Sequence, residues 1–493
     1  RLALVWLVLL AASYAVWWLR PDLEQARSAS TARTRVAEVV DGELTGATLE
    51  LAWSDRPAHD GSAPTLLLLH GSPGRNENFD RLAEALAGRA RLLAVDLPGF
   101  GQSPRQAADY SIAAHAHEVL EFCHALDMPP AHVLAFSMGG GVALELANLE
   151  PGLVRSLILL SSIGVQELEL FGSYELNHGL HGLQLSLVLF ARWCLPHFGQ
   201  DDGLASARAY ARNFYDSDQR PLRAIFESLG MPLLIVHGAG DFLVPPAAAR
   251  EHHRLVPQSE LALLPGDHFM LWTRTNELAE QVAGWIERVE SGLALNRQAA
   301  PPERIRAALA PFDPTHVPPF EGLALVVLLC LVAASTLVSE DMACIAVGLL
   351  VAQGRVGFIA GTLAAFGGIF LGDVLLYLAG RFLGRPALAR RPLRWFIQAD
   401  GIDRAQAWFA QRGARVIFAS RFLPGLRLPT YFAAGAVRAS FLSFCFYFVL
   451  AGLLWTPLLV GFAAWIGAEA MRSIALFERF ALPGVLAFVV LLF

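Results

Sequence analysis

Ser137, Asp241 and His268 lie far apart in the chain, in that order, and are of the types that nucleophilic catalysis needs. A serine hydroxyl attacks a carbonyl when an imidazole takes its proton, and a carboxylate on the other ring nitrogen fixes the tautomer that can do so. Ser137 stands in Ala135-Phe136-Ser137-Met138-Gly139, after an apolar run and before Gly139-Gly140-Gly141. A sharp strand-to-helix turn needs small residues on both sides of its nucleophile, because larger side chains would strike neighbouring backbone. Ala135 and Gly139 meet that need, with alanine where glycine is usual. The turn would set the hydroxyl at a helix N-terminus, where free N–H groups and the helix dipole favour developing negative charge.

The partners follow short apolar runs. Asp241, in Gly238-Ala239-Gly240-Asp241, comes after Leu233 to His237, and His268, in Pro265-Gly266-Asp267-His268, comes after Leu261 to Leu264. Asp267 is the rival acid, but an adjacent loop residue rarely folds back onto its neighbour's ring. His178, His181 and His197 lack metal-ligand spacing, so no metal and no cofactor is implied.

The elements that would carry these residues are further short runs: Thr65 to Leu69, Leu92 to Val95, His132 to Phe136 and Ser156 to Leu160. Continuous apolar strands alternating with amphipathic helices predict a mainly parallel sheet covered on both faces, an α/β domain over 36–290. With the elbow, the loop His70-Gly71-Ser72-Pro73-Gly74 and the turn Asp96-Leu97-Pro98-Gly99-Phe100-Gly101-Gln102-Ser103, this stretch resembles the α/β-hydrolase superfamily. The resemblance implies backbone N–H groups of Ser72 and Met138 as the oxyanion hole, with His70 and Asp96 structural. It also implies hydrolysis of an ester, thioester or amide through an acyl-enzyme, since relatives with epoxide-hydrolase or dehalogenase chemistry carry aspartate at the elbow. Residues 165–229 resemble the helical cap of such enzymes. Leu183, Leu185, Leu187, Phe190, Trp193, Tyr210, Phe214 and Tyr215 would form the cap's own core, an apolar acyl pocket, or both.

A second set of chemistry-bearing residues lies in 322–493, where the chain is apolar in blocks: Leu323 to Val338, Met342 to Ala352, Val356 to Ala379, Phe432 to Ile466 and Leu482 to Phe493. Glu340, Asp341, Asp373, Arg421 and Arg427 interrupt or border these blocks. Each charge is costly in hydrocarbon unless paired or hydrated, and broken half-helices with opposite charges are how transporters build a midplane site. An all-α polytopic membrane domain with re-entrant helices and a carboxylate–arginine centre is expected. Glu340-Asp341 with Ala346-Val347-Gly348, Gly372-Asp373 through Gly380-Arg381, and Arg421-Phe422-x-Pro424-x-x-Arg427 leading to Gly435 resemble the DedA family, also called SNARE-associated or VTT-domain proteins. That family is associated with moving lipids such as undecaprenyl phosphate between leaflets. The resemblance implies the same role for Glu340, Asp341, Arg421 and Arg427. The apolar stretch before Asp341 departs from the many members that carry a further acidic residue there.

Bulk properties agree with two units of different kinds. Of the 493 residues, 55% are apolar, above the roughly 45–50% of soluble domains. The net charge of −6 offers no basic face for nucleic acid. Five scattered cysteines form neither a disulfide framework nor a zinc site. Leu2 to Leu19 is free of charge and is expected to be a transmembrane anchor (1–20), with Trp17 and Trp18 at the interface and a cleaved signal peptide as the rival. A Pro-rich linker is expected over 291–321. Arg381 to Arg415 argues for a cytoplasmic loop, while Arg20, Arg27, Arg33 and Arg35 argue the reverse sidedness for the first domain.

The whole reads as a bacterial-type inner-membrane serine hydrolase, esterase- or lipase-like, acting on a small acyl or lipid ester among membrane lipids. The alternative is a lipid transporter whose hydrolase-fold domain is accessory, and either is compatible with a homo-oligomer.

Overall fold

The computed structural model describes residues 2–19, 32–58, 63–198, 202–313, 317–383, 407, 409, 411–423 and 426–472. Two compact units divide the chain, Arg1–Pro314 and Thr315–Phe493.

The first unit is an α/β-hydrolase fold built on eight strands: β1 (Ala32–Val40), β2 (Glu43–Arg56), β3 (Thr65–Leu69), β4 (Arg91–Val95), β5 (Ala131–Phe136), β6 (Val154–Leu160), β7 (Leu233–Gly238) and β8 (Glu260–Leu264). They form one sheet in the order β1-β2-β4-β3-β5-β6-β7-β8, with the β1–β2 and β2–β4 pairs antiparallel and β3 to β8 all parallel. Successive strand residues enter opposite cores. Leu67, Val133 and Leu157 join one with the helices Ile112–Ala125 and Met138–Leu149, while Leu66, Leu134 and Ile158 join the other with Thr275–Glu290. The strands can therefore be apolar throughout, because neither face meets water.

The hairpin β1–β2 turns through Asp41 and Gly42, both at positive φ (51° and 79°), as a two-residue primed turn requires. It extends the first unit to Ala32, before the position where sequence patterning starts it. The Pro-rich stretch is also more ordered than a linker. A helix at Pro302–Ala308 is fastened by Arg254, whose guanidinium donates to Ala307 O at 2.8 Å and Ala310 O at 2.7 Å.

The second unit is helical: Gly322–Ser335, Glu340–Ala352, Phe358–Leu383, Arg415–Ser420, Arg427–Ala436 and Phe441–Arg472. Phe358–Leu383 and Phe441–Ala468 are long and apolar enough to cross a membrane. The apolar run Phe432 to Ile466 is two helices and not one, broken at Arg438, which sits at φ 55°. A Cβ at Gly380 would strike Phe432 O, and one at Gly435 would strike Tyr377 O. These glycines let two helix backbones touch, a contact through small residues characteristic of membrane helices. Trp17, Trp18, Arg20, Arg27, Pro424, most of Arg381 to Arg415, and Leu482 to Phe493 lie outside the described residues or side chains.

Candidate active site

Ser137 leaves β5 at φ 55°, ψ −119° and opens the helix Met138–Leu149. A non-glycine residue in this region costs on the order of 1–3 kcal/mol, which its surroundings must offset. Ser137 N donates to Leu160 O at 3.0 Å, and Ser137 O accepts from Gly140 N at 3.0 Å. The turn closes only without side chains beside it. A Cβ on Gly139 would lie 2.6 Å from His70 O and 2.7 Å from Leu69 O.

The structure brings the three separated residues together. His268 Nε2 lies 3.0 Å from Ser137 Oγ, and His268 Nδ1 lies 2.8 Å from Asp241 Oδ2. The other oxygen, Asp241 Oδ1, accepts from Leu243 N at 3.0 Å and Val244 N at 2.9 Å, which fixes the carboxylate plane. Since Asp241 is buried and accepts at Nδ1, the imidazole carries its proton there and turns its Nε2 lone pair to the serine. Asp267 instead caps its own turn through Phe269 N at 2.9 Å.

Sequence reading missed His237, the penultimate residue of β7. Burial pushes its pKa down, its Nε2–H donates to Val244 O at 3.0 Å, and the same nitrogen lies 3.4 Å from Asp241 Oδ2. Read in a continuous apolar run, it carried no signal beyond its place four residues before Asp241.

Neither the Ser72 nor the Met138 backbone N–H has a protein partner among the described residues. Met138 is the first residue of its helix, so no intrahelical acceptor exists for its N–H. His70 and Asp96 hold this loop. Burial lowers the His70 pKa to about 4, and the neutral ring spans Gly71 O at 2.7 Å and Leu97 N at 3.0 Å. Asp96 accepts from Asn76 N and Gln102 N, at 2.5 and 2.7 Å, while burial raises its pKa to about 6.

A small pocket opens over Ser137. Its cap side carries the polar residues Gln166, Glu169, Asn177, His178, His181 and Ser217 beside Tyr174 and Phe214. The expected apolar acyl pocket is not built from the cap helix Tyr174–Cys194. Leu183 and Leu187 are exposed, as are Phe190 at 67% and Trp193 at 69%. Helical spacing explains this: 177, 178 and 181 share the inward face, and 183, 187 and 190 share the outward one. Of the anticipated residues, Phe214 lines the pocket and Tyr215 stacks on His178 at 4.3 Å between ring centroids.

In the second unit Glu340, Asp373, Arg421 and Arg427 converge. Glu340 Oε2 accepts from Arg427 Nη1 at 2.6 Å and Arg421 Nη2 at 3.2 Å, and Arg421 Nη1 lies 3.4 Å from Asp373 Oδ2. The Arg421 side chain is 1% exposed, with Phe448 over its guanidinium at 5.4 Å. Asp341, one residue and about 100° further round the helix, forms no ion pair among the described residues.

Residues 64–199 match the alpha/beta hydrolase fold family and residues 338–464 match the VTT domain family. The chain therefore belongs to the α/β-hydrolase fold family in its first unit, fused to a VTT domain of the DedA type in its second. An uncharacterized protein of Mycobacterium tuberculosis is 40% identical over 42% of this chain and 71% of its own length. Undecaprenyl phosphate transporter A of Bacillus subtilis is 34% identical over 25% of this chain and 62% of its own. A thermophilic esterase from Thermogutta terrifontis superposes with a TM-score of 0.45 at 20% identity, over 52% of this chain and 99% of that one.

Proposed function

We propose that the first unit is a serine hydrolase that cleaves an ester through an acyl-enzyme on Ser137. The observation that carries this reading is the chain of contacts from Ser137 Oγ to His268 Nε2, at 3.0 Å, and from His268 Nδ1 to Asp241 Oδ2, at 2.8 Å. As Ser137 Oγ bonds to the ester carbonyl carbon, its proton passes to His268 Nε2. The carbonyl oxygen takes up negative charge, which the N–H groups of Ser72 and Met138 stabilise. The intermediate collapses by breaking the bond to the alcohol oxygen, which leaves with the proton from His268. Water then repeats the sequence: His268 takes its proton, its oxygen bonds to the acyl carbon, and Ser137 leaves reprotonated. Removing a triad member should cost on the order of 10⁴ or more in kcat. Hydrolysis of p-nitrophenyl butyrate by the purified full chain tests this. Ser137→Ala and His268→Ala should each abolish it, and activity surviving in Ser137→Ala overturns the assignment.

The helix Leu2–Leu19 supports membrane attachment of this unit, its residues Leu4 to Leu9 being exposed and apolar. For the second unit, the buried carboxylate–arginine cluster and the similarity to a protein named as an undecaprenyl phosphate transporter favour a separate activity, lipid translocation. Loss of lipid transfer between the leaflets of reconstituted vesicles in Arg427→Ala, with ester hydrolysis intact, is the expected result. Unchanged transfer contradicts it.

A further inference from the structure

Four residues that line the pocket over Ser137 each carry a buried polar atom with no hydrogen-bond partner among the described residues: Asn177 Nδ2, His178 Nδ1, His181 Nδ1 and Ser217 Oγ. Asn177 is 2% exposed, so its –NH₂ group has little access to water and no protein partner among the described residues. Buried polar groups are nearly always paired, and an orphaned one is destabilising. Four on residues around one pocket are what a hydrogen-bonding ligand reaching them would satisfy.

Their neighbours determine what each atom asks for. Glu169 accepts from Gln166 Nε2 at 2.5 Å and lies 3.0 Å from His181 Nε2, which makes that nitrogen a donor. The other ring nitrogen, His181 Nδ1, is left without a partner among the described residues. Asn177 Oδ1 is occupied by Phe171 N at 3.1 Å, so the amide offers its N–H groups. The Ser217 hydroxyl can give or accept. Among the described lining residues there is no lysine or arginine, and Glu169 is the only carboxylate. An anionic group would meet a negative charge and no cation, while a plain alkyl chain would leave all four atoms unpaired.

We propose, resting on the serine-hydrolase reading, that this pocket takes an uncharged, hydroxylated moiety, so that the substrates are neutral esters of polyol or sugar type. Hydroxyl groups both give and accept, which suits the Asn177 N–H groups and the Ser217 hydroxyl together. Asn177 and Ser217 are specificity-determining residues in this scheme.

The purified full chain in detergent tests the proposal with glycerol monobutyrate against n-propyl butyrate, which share the acyl group and differ by two hydroxyls. The expected kcat/KM for the glycerol ester is at least about tenfold higher, since a site built to bond hydroxyls rejects analogues that lack them. In Asn177→Leu that preference should fall about tenfold, and Ser217→Ala should lower it in the same direction if the first variant does not fold. A wild type that cleaves both esters equally, or folded variants that keep the preference, overturns the polyol assignment while p-nitrophenyl butyrate hydrolysis still supports the triad. No Ser137-dependent hydrolysis of p-nitrophenyl butyrate overturns both readings.

Discussion

Asp241→Asn is the perturbation that isolates what the carboxylate does for the imidazole. Asparagine keeps the size of aspartate and one of its oxygens. That oxygen can still accept from Leu243 N and Val244 N, whose bonds to Oδ1 are 3.0 and 2.9 Å. The –NH₂ group must then point at His268 Nδ1, where Oδ2 now accepts at 2.8 Å. Two donors cannot share that contact, so the ring shifts its proton to Nε2 and offers Ser137 an N–H in place of a lone pair. The base is lost without any change of shape. A wrong tautomer of this kind costs about 10⁴ in kcat, or on the order of 5 kcal/mol of transition-state stabilisation. The fold should barely respond, because the retained oxygen still satisfies the two loop N–H groups. Steady-state hydrolysis of p-nitrophenyl butyrate, with thermal unfolding alongside, measures both. A loss below about tenfold in a folded variant would refute the role given to Asp241, as would equal losses of activity and stability.

Other outcomes follow from the same contacts. Burial holds Glu118 at about 9 and His115 at about 4, so the folded chain keeps both neutral near pH 7. Above pH 4.5 the unfolded chain sheds the Glu118 proton that the folded chain retains, and stability falls as pH climbs toward about 9. In Glu118→Gln this limb should flatten, the variant gaining on the wild type by up to about 1.4 kcal/mol per pH unit in urea denaturation; parallel curves between pH 5 and 8 would contradict it. In the second unit, Arg421→Gln leaves the buried Asp373 carboxylate without its guanidinium partner and should destabilise by about 3–5 kcal/mol in detergent. Asp373→Asn in the same chain should recover part of that loss, and a single variant as stable as the wild type would remove the structural role of the pair.

The parallel core was legible because β3, β5 and β7 are buried on both faces and so spell continuous apolar runs. Ser137, Asp241 and His268 were legible for a related reason: each follows a strand of the same parallel sheet, so all three emerge at one edge. The β1–β2 hairpin was not read, although Asp41-Gly42 is its turn signal. Glu43, Glu50 and Asp55 on β2 belong to a partly solvated strand and interrupt any apolar run.

The break at Arg438 was hidden by apolar residues on both sides. In the cap, composition alone could not tell an inward leucine from an outward one, and the polar residues on the pocket's cap side come from segments distant in sequence, Gln166 to His181 and Ser217. Neighbours in sequence also mislead. Glu340 enters the charge cluster and Asp341 does not, because a helix turns them to different faces.

Covalent trapping bears most directly on the claim that the first unit works through an activated serine. The full chain is treated with a fluorophosphonate and the adduct located by peptide mass spectrometry. A single stoichiometric adduct on Ser137, absent from Ser137→Ala and slowed by orders of magnitude in His268→Ala, is the predicted result. An unmodified Ser137 in a folded protein, or equal labelling when His268 is removed, would contradict it.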